Sequence, residues 1–153
     1  MKNGRHNIGV TLVEMLVVIS IIAVLATAII TLTRAMDTQS KEQGTANVFA
    51  LLRTALQEYR EDTGSFPAQD EVYAQTLYQV LDSTPSSRQV IKQINGSLLK
   101  VLTRGEREYM LICDPWGKPV KYVYVDGAQF PELISAGPDK TFGTADDISS
   151  RGK

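Results

Sequence analysis

Three carboxylates near the C-terminus have residue types and spacing suited to binding a cation. Asp139, Asp146 and Asp147 fall within nine residues of an acidic loop, 135–148, that also contains two glycines. Ca²⁺ prefers carboxylate and backbone carbonyl oxygens, and a glycine-bearing loop can turn its carbonyls inward around one ion. The spacing is not that of an EF-hand, because the residues after Asp139 are not the required alternating acids. By spacing alone, a solvated surface loop is the favoured interpretation.

A fourth carboxylate, Glu14, stands at the head of an apolar run. Residues 15–32 carry no formal charge, and as a helix they would span about 27 Å, close to a bilayer core. A carboxylate costs about 2.5–3.5 kcal/mol at the centre of a membrane helix. We therefore expect a positive charge that compensates Glu14. The alternative is a side chain that snorkels to the cytoplasmic interface.

Composition excludes several classes of function. The chain has 153 residues, a net charge of −1 and one cysteine, so no basic surface points to nucleic acid and no intrachain disulfide can form. We expect Cys113 to be buried beside the apolar residues 109–112. The one histidine, His6, precedes the apolar run. If that leader is removed, histidine-dependent catalysis and histidine zinc sites are excluded.

The N-terminal residues predict the orientation of the apolar run in a membrane. Lys2 and Arg5 precede it, and basic residues hold that end in the cytoplasm, so the C-terminal part lies outside. A cleaved secretory signal is the alternative, because small residues occur late in the run: Ala23, Ala26 and Ala28. The length of the run, which continues to Leu32, argues against that alternative.

The segment Gly9-Val10-Thr11-Leu12-Val13-Glu14, with the apolar run after it, resembles the type IV prepilin signature. The resemblance implies that a membrane peptidase cuts after Gly9 and methylates Val10. It also implies that Glu14, the fifth mature residue, pairs with the N-terminal amine of a neighbouring subunit during filament assembly. Val10 replaces the usual phenylalanine, and Thr31 replaces a frequent proline. The expected organisation is a leader (1–9), a transmembrane and polymerisation helix (10–33), an amphipathic helix (34–63) and a globular head (64–153).

The amphipathic helix is predicted from a stripe of apolar residues at helical spacing: Val48, Leu51, Leu52, Ala55, Leu56 and Tyr59. Thr63 and Gly64 indicate its end. Gly44 and the polar residues 37–43 are candidates for a break in the helix.

The head is predicted to be α+β. We expect a helix over 71–81 with Asp70 as its N-cap, and helical segments near 88–94 and 98–102. Strands are expected over 109–113, 119–125 and 132–135, in one small antiparallel sheet. Asp114-Pro115-Trp116-Gly117 predicts a turn between the first two strands.

This turn, followed by two strands and an acidic loop, resembles the major pseudopilin of type II secretion systems. Type IV major pilins usually close the C-terminal region with a disulfide, which a chain with one cysteine cannot form. The resemblance implies a structural calcium ion bound by this loop. Its implied ligands are the side chains of Asp139, Asp146 and Asp147, the Thr144 hydroxyl, and the carbonyls of Ala136 and Thr141. Lys140 departs from the small residue common at its position.

The implied function is that of a structural subunit rather than an enzyme. It would polymerise into a periplasmic filament that drives export of folded proteins across the outer membrane. The implied partners are copies of itself, minor pseudopilins, the prepilin peptidase, an inner-membrane assembly platform and an outer-membrane secretin. The chain would first cross the inner membrane once, with a cytoplasmic N-terminus and a periplasmic head.

Three alternatives stay open at this point. The first is a pilin of a type IV, competence or adhesion pilus. The second is a membrane-tethered hydrolase using Asp114 and the three loop carboxylates, although no nucleophile–base pair is visible. The third is a signal-anchored binding protein, which predicts no cut after Gly9 and no methylated Val10.

Overall fold

The computed structural model describes residues 11–68, 76–125 and 127–152, apart from the side chains of 28 and 30–35. Gly9, Val10 and the expected N-cap Asp70 lie outside these residues. Three α-helices, one 3₁₀ turn (Gly96–Leu98) and five strands follow one another along the described chain. The helices are α1 (Leu12–Thr63), α2 (Leu77–Leu81) and α3 (Pro85–Ile91). The strands are β1 (Leu99–Arg104), β2 (Arg107–Ile112), β3 (Lys121–Val123), β4 (Glu132–Ser135) and β5 (Ile148–Ser149). The chain divides into two compact units, one up to Asp37 and one from Thr38.

Helix α1 is continuous over 52 residues, so the residues around Gly44 do not break it. A side chain at Gly44 would approach the ring of Pro115 to 3.1 Å, which explains why a residue with low helix propensity is accommodated there. The helix ends as predicted at Thr63. Gly64 has φ +87°, and its N–H donates to the Arg60 carbonyl at 2.7 Å, as at many helix C-termini.

In the first unit, the apolar side chains of α1 are exposed all round the helix. Leu12, Val24 and Ile29 are 81%, 70% and 64% exposed. The hydroxyls of Ser20 and Thr27 donate back to the carbonyls of Leu16 and Ala23, which leaves few polar groups facing outward. A helix that is apolar all round needs lipid or other helices to cover it. Among the residues that the structure describes, no helix is both long enough and apolar enough to cross a membrane.

The second unit contains the hydrophobic core, and the apolar stripe of α1 lies within it as predicted. Val48, Leu52, Ala55 and Leu56 are at most 3% exposed. Burying one such leucine is worth about 1.5–3 kcal/mol. The rest of the core comes from the helices and strands of the head, including Leu77, Leu81, Ile91, Ile112, Val120, Tyr122 and Leu133.

The strands form two small antiparallel sheets instead of the one expected. The first pairs β1 with β2, and the second has the order β3-β4-β5, with an isolated bridge between Cys113 and Pro119. The predicted helix over 98–102 is wrong. Gly105, at φ +65°, lets the chain reverse, and Leu99 to Arg104 pair in register with Ile112 to Arg107. This pairing outweighs the local helical tendency.

The three predicted strands are confirmed, 132–135 at the same bounds and the first two at slightly different ones, and β5 was not predicted. The two short helices also differ in their limits. Within the described chain α2 begins at Leu77, while 69–75 are not described. Helix α3 begins at Pro85, three residues earlier than expected, because proline fits the first position of a helix, where its missing N–H costs nothing.

Candidate functional site

Glu14 lies in the first turn of α1 and is exposed. Its backbone N–H donates to the Thr11 hydroxyl at 3.2 Å, so Thr11 caps the helix three residues before Glu14. The pattern Thr-x-x-Glu, at residues 11–14 of the sequence, is that of a capping box. A carboxylate in the first turn is also favoured by the helix dipole. The structure therefore gives Glu14 a local role as well as the assembly role that the resemblance implies.

The turn between β2 and β3 is organised by a buried carboxylate. Asp114 is 1% exposed, and its Oδ1 accepts from the N–H groups of Trp116 and Lys118 at 3.1 and 2.8 Å. Gly117, at φ +87°, closes the turn by donating to the Asp114 carbonyl at 2.8 Å. The sequence predicted this turn, but it gave no sign of what the second carboxylate oxygen contacts.

That second oxygen connects the turn to the acidic loop. The Ser135 hydroxyl, at the end of β4, donates to Asp114 Oδ2 at 2.6 Å. The same hydroxyl accepts from the N–H of Gly137 at 3.2 Å. Ser135 is 0% exposed, so these bonds form in a low-dielectric setting where an unpaired group is costly. Asp114 and Ser135 thus fix the point at which the acidic loop leaves the sheet.

Inside the acidic loop, the predicted ligand side chains mostly bind backbone N–H groups. Asp146 Oδ2 accepts from the N–H of Asp139 at 3.0 Å, and Asp139 Oδ1 accepts from that of Thr141 at 2.7 Å. Asp147 Oδ2 accepts from Gly143 at 2.7 Å. The Thr144 hydroxyl lies 2.6 Å from Asp146 Oδ1 and 3.0 Å from the Thr141 carbonyl. The loop is therefore ordered by its own carboxylates.

These bonds change the acidity of one carboxyl group. Hydrogen bonds from the Thr144 hydroxyl and then from the Asp139 N–H hold the pKa of Asp146 below its ordinary value. Both donors stabilise the ionised form. The structure thus favours a charged Asp146 in the loop.

One loop oxygen is left over. Asp147 Oδ1 is buried and has no hydrogen-bond partner among the described residues. Such atoms are uncommon, because leaving one unpaired destabilises the folded state by about 1–3 kcal/mol. A bound cation would satisfy it. In the described part of the chain, however, no group of three acidic, cysteine or histidine side chains is arranged to hold a metal ion. The donor chemistry fits calcium, while the three carboxylates are not gathered into one cluster.

The tight geometry of the loop depends on Gly137. Its φ is +61°, and a side chain there would collide with the Asp146 carbonyl oxygen. Ala136, whose carbonyl is an implied ligand, is 0% exposed. Lys140 also has a positive φ, 60°, and is exposed. The backbone of the loop is thus packed against itself at the Gly137 end.

The expectation for Cys113 is confirmed. It is 1% exposed, and burial raises the pKa of its thiol, with Lys100 opposing the shift and Asp114 adding to it. A buried thiol with a raised pKa is a poor nucleophile at neutral pH.

Comparison with known proteins covers almost the whole chain. The family profile described as "Prokaryotic N-terminal methylation motif" matches residues 4–30, which includes Gly9, Val10 and Glu14. The profile described as "Type II secretion system (T2SS), protein G" matches residues 32–151. No solved structure gives a significant match.

Two curated relatives carry the same description, "Type II secretion system core protein G". The one from Escherichia coli (strain K12) is 30% identical over 146 residues, which cover 94% of this chain and 90% of the relative. The one from Aeromonas hydrophila is 26% identical over 148 residues, covering 95% of this chain and 93% of the relative. Both likenesses span nearly the full length of both proteins.

Proposed function

The chain belongs to the protein G family of the type II secretion system, and from this premise we propose how it is anchored, assembled and stabilised. It is a pseudopilin subunit, and its family implies assembly into a pseudopilus with other components of the secretion system. The competence or type IV pilin alternative is not favoured by the match to protein G. We propose a structural role in place of the hydrolase alternative, and the match to protein G supports it.

The observation that carries the assembly proposal is the apolar, exposed first half of α1. Residues such as Leu12, Leu16 and Ile19 are 59–81% exposed in the single chain, and something must cover them. In our proposal this surface first lies in the inner membrane and then packs against the same helices of other copies in the filament. The head faces the periplasm, as the basic residues before the apolar run favour.

The move of the subunit from the inner membrane into a filament implies further partners. We propose that a prepilin peptidase removes residues 1–9 and methylates Val10, and that an inner-membrane platform then adds the subunit to the filament. Minor pseudopilins and the outer-membrane secretin would contact the filament as it grows. In this proposal Glu14 binds the new amine of Val10 on the neighbouring subunit, which compensates its charge within the apolar bundle.

Glu14→Ala tests this role directly. Cleavage after Gly9 should persist, since the peptidase acts before assembly, while filament formation should fail. Glu14→Gln keeps the shape of the side chain but removes its charge, so filament formation should fail with this variant as well. Intact-mass analysis reports cleavage and N-methylation, and pelleting of sheared filaments reports assembly. Filaments of normal yield from Glu14→Ala would contradict the proposed role.

We also propose that the acidic loop binds a structural calcium ion through Asp139, Asp146, Asp147, Thr144 and the carbonyls of Ala136 and Thr141. The unpartnered Oδ1 of Asp147 supports this assignment. A bound ion would hold a loop that has no disulfide, and it would stabilise the folded state by mass action. The role of the ion would be structural, because the residues that would hold it come from both ends of the β4–β5 connection.

Chelation is the test of the calcium proposal. EGTA should lower the melting temperature of the purified chain, and added Ca²⁺ should restore it. Asp147→Asn should abolish that response, whereas Asp82→Asn, at an exposed ion pair elsewhere, should leave it intact. An unchanged melt in EGTA, together with no calcium in the purified protein, would refute the site.

A further inference from the structure

A basic groove beside the second half of α1 has no role in the function described above. It has a volume of about 690 Å³ and is lined by side chains of α1 and of two loops: Arg53, Gln57, Arg60, Glu61, Phe66, Gln129 and Phe130. Two arginines and one glutamate give the groove an excess of positive charge, in a chain whose net charge is −1. Such a groove fits a carboxylate ligand.

Both arginines are held in place by aromatic rings. The Arg53 guanidinium lies 5.0 Å from the ring centre of Phe130, and that of Arg60 lies 5.0 Å from Phe66. The two rings pack edge to face at 4.8 Å. Stacking over a ring lowers the entropy cost of ordering each arginine and leaves its N–H donors available around its edge.

Those donors are little used within the described chain. Arg53 donates to the Ser150 carbonyl at 3.4 Å, a long bond to a neutral acceptor. Neither arginine makes an ion pair with a described residue. Glu61, the one acid in the groove, accepts from Gln57 at 3.2 Å. The guanidinium groups therefore have N–H groups that can donate hydrogen bonds to the carboxylates of a partner.

On its opposite flank, helix α1 carries carboxylates that make no ion pair with the described residues. Successive residues of a helix are rotated by about 100° around its axis, so Arg53 and Arg60 lie within about 20° of each other. By the same rotation, Glu58 and Asp62 lie about 140–180° around the axis from Arg53. The buried stripe around Leu52 and Leu56 occupies the arc between the two flanks. Within the described residues, neither Glu58 nor Asp62 makes an ion pair. The helix thus has a basic and an acidic flank on either side of its core-facing stripe.

We propose that the Arg53/Arg60 groove of one subunit takes the Glu58 and Asp62 carboxylates of a second copy of this chain. The inference rests on the proposed function, since a filament supplies that second copy. Opposite flanks that attract each other make a heterologous, head-to-tail contact, which is the type of contact that builds an open filament. The contact also lies on the same helix as the exposed apolar surface proposed for assembly.

The charges allow a test with the full-length chain in cells that assemble the filament. One variant, Arg53→Glu/Arg60→Glu, has two acidic flanks, and another, Glu58→Arg/Asp62→Arg, has two basic flanks. Each alone places like charges opposite one another, so its yield of sheared, pelletable filaments should fall at least about tenfold, the factor that about 1.4 kcal/mol produces. Co-expressed, the two variants can alternate with every contact complementary. Their mixture should recover filaments to within about twofold of the wild type.

Controls separate this contact from folding and from the proposed function. Arg53→Lys/Arg60→Lys keeps the charge and should assemble, and Arg104→Glu reverses an exposed charge on the hairpin and should have no effect. Equal levels of cleaved subunit on immunoblots exclude misfolding. A mixture that assembles no better than either variant alone overturns the inference while wild-type filaments still form. If the wild type forms no filaments under the same conditions, the proposed function itself is refuted.

Discussion

Replacing Asp114 should destabilise the head more than any exposed carboxylate can. In Asp114→Ala, the N–H groups of Trp116 and Lys118 and the Ser135 hydroxyl lose their acceptor. The hydroxyl is buried, whereas the two N–H groups are part-buried. A buried donor left unpaired costs about 1–3 kcal/mol, so the three together should cost about 3 kcal/mol. Asp114→Asn keeps an acceptor for the two backbone groups but sets an amide against the Ser135 hydroxyl. We expect it to cost about 1–3 kcal/mol, for one lost bond.

Urea unfolding of residues 38–153, followed by circular dichroism, measures these losses. This fragment holds the whole buried apolar core that the structure describes, from Val48 to Ala136. With a denaturant slope of about 1–3 kcal/mol/M, a loss of about 3 kcal/mol moves the midpoint by about 1–3 M. Asp82→Ala is the matched control. Asp82 pairs with Arg88 at 3.0 Å with side chains 40% and 43% exposed, so its loss should cost at most about 1 kcal/mol.

The result that refutes this reasoning is equally specific. If Asp114→Ala and Asp82→Ala shift the midpoint by the same amount, the buried network does not stabilise the head. If Asp114→Asn is as damaging as Asp114→Ala, the charge of the carboxylate matters more than its hydrogen bonds.

Three further predictions concern the loop and the core. Gly137→Ala should destabilise the head by at least about 2 kcal/mol, because its side chain meets the Asp146 carbonyl. Gly143→Ala should cost less, since a left-handed backbone costs about 1–2 kcal/mol and no atom is in the way. Equal urea midpoints for the two variants would contradict this. Tyr122→Phe removes a 2.7 Å bond to the Pro67 carbonyl and should cost about 1–3 kcal/mol; an unchanged midpoint would show that this carbonyl finds another donor. The pKa of Asp146 is lower in the folded chain than in the unfolded one, so the ionised carboxylate stabilises the fold. This stabilisation is fully present above the ordinary aspartate pKa of about 3.9, and it is lost as the pH falls through the pKa of the folded state. An NMR titration in EDTA should find that pKa below the ordinary one, and a value at or above it would refute the assignment.

The parts of the fold that follow from local chemistry were predictable from the sequence. The apolar stripe from Val48 to Tyr59 has helical spacing, and Thr63-Gly64 is a frequent helix end, so the bounds of α1 in the head were close to correct. The turn at Asp114–Gly117 was predictable because each of its residues has a known conformational preference. The family followed from the register of Glu14 after Gly9, although Gly9 and Val10 lie outside the described residues.

What was missed depends on contacts between distant residues. Local preference favours a helix over 98–102, and the pairing of Leu99 to Arg104 with β2 decides that this segment is a strand. Strand β5 has two residues and exists because β4 pairs with it. The link from Asp114 to Ser135 joins residues 21 positions apart, and no spacing rule predicts such a bond. The stacking of Arg53 on Phe130 could not be predicted either, because these residues are also far apart in the sequence.

The measurement that tests the central claim most directly is the export of folded proteins by a strain that lacks this chain. Our account predicts that the exported proteins disappear from the culture supernatant and accumulate in the periplasm, while surface pili persist. Wild-type chain should restore export, and the Glu14→Ala chain should not. Normal export in the deletion strain, accompanied by loss of surface pili, would contradict the assignment of this chain to a secretion filament.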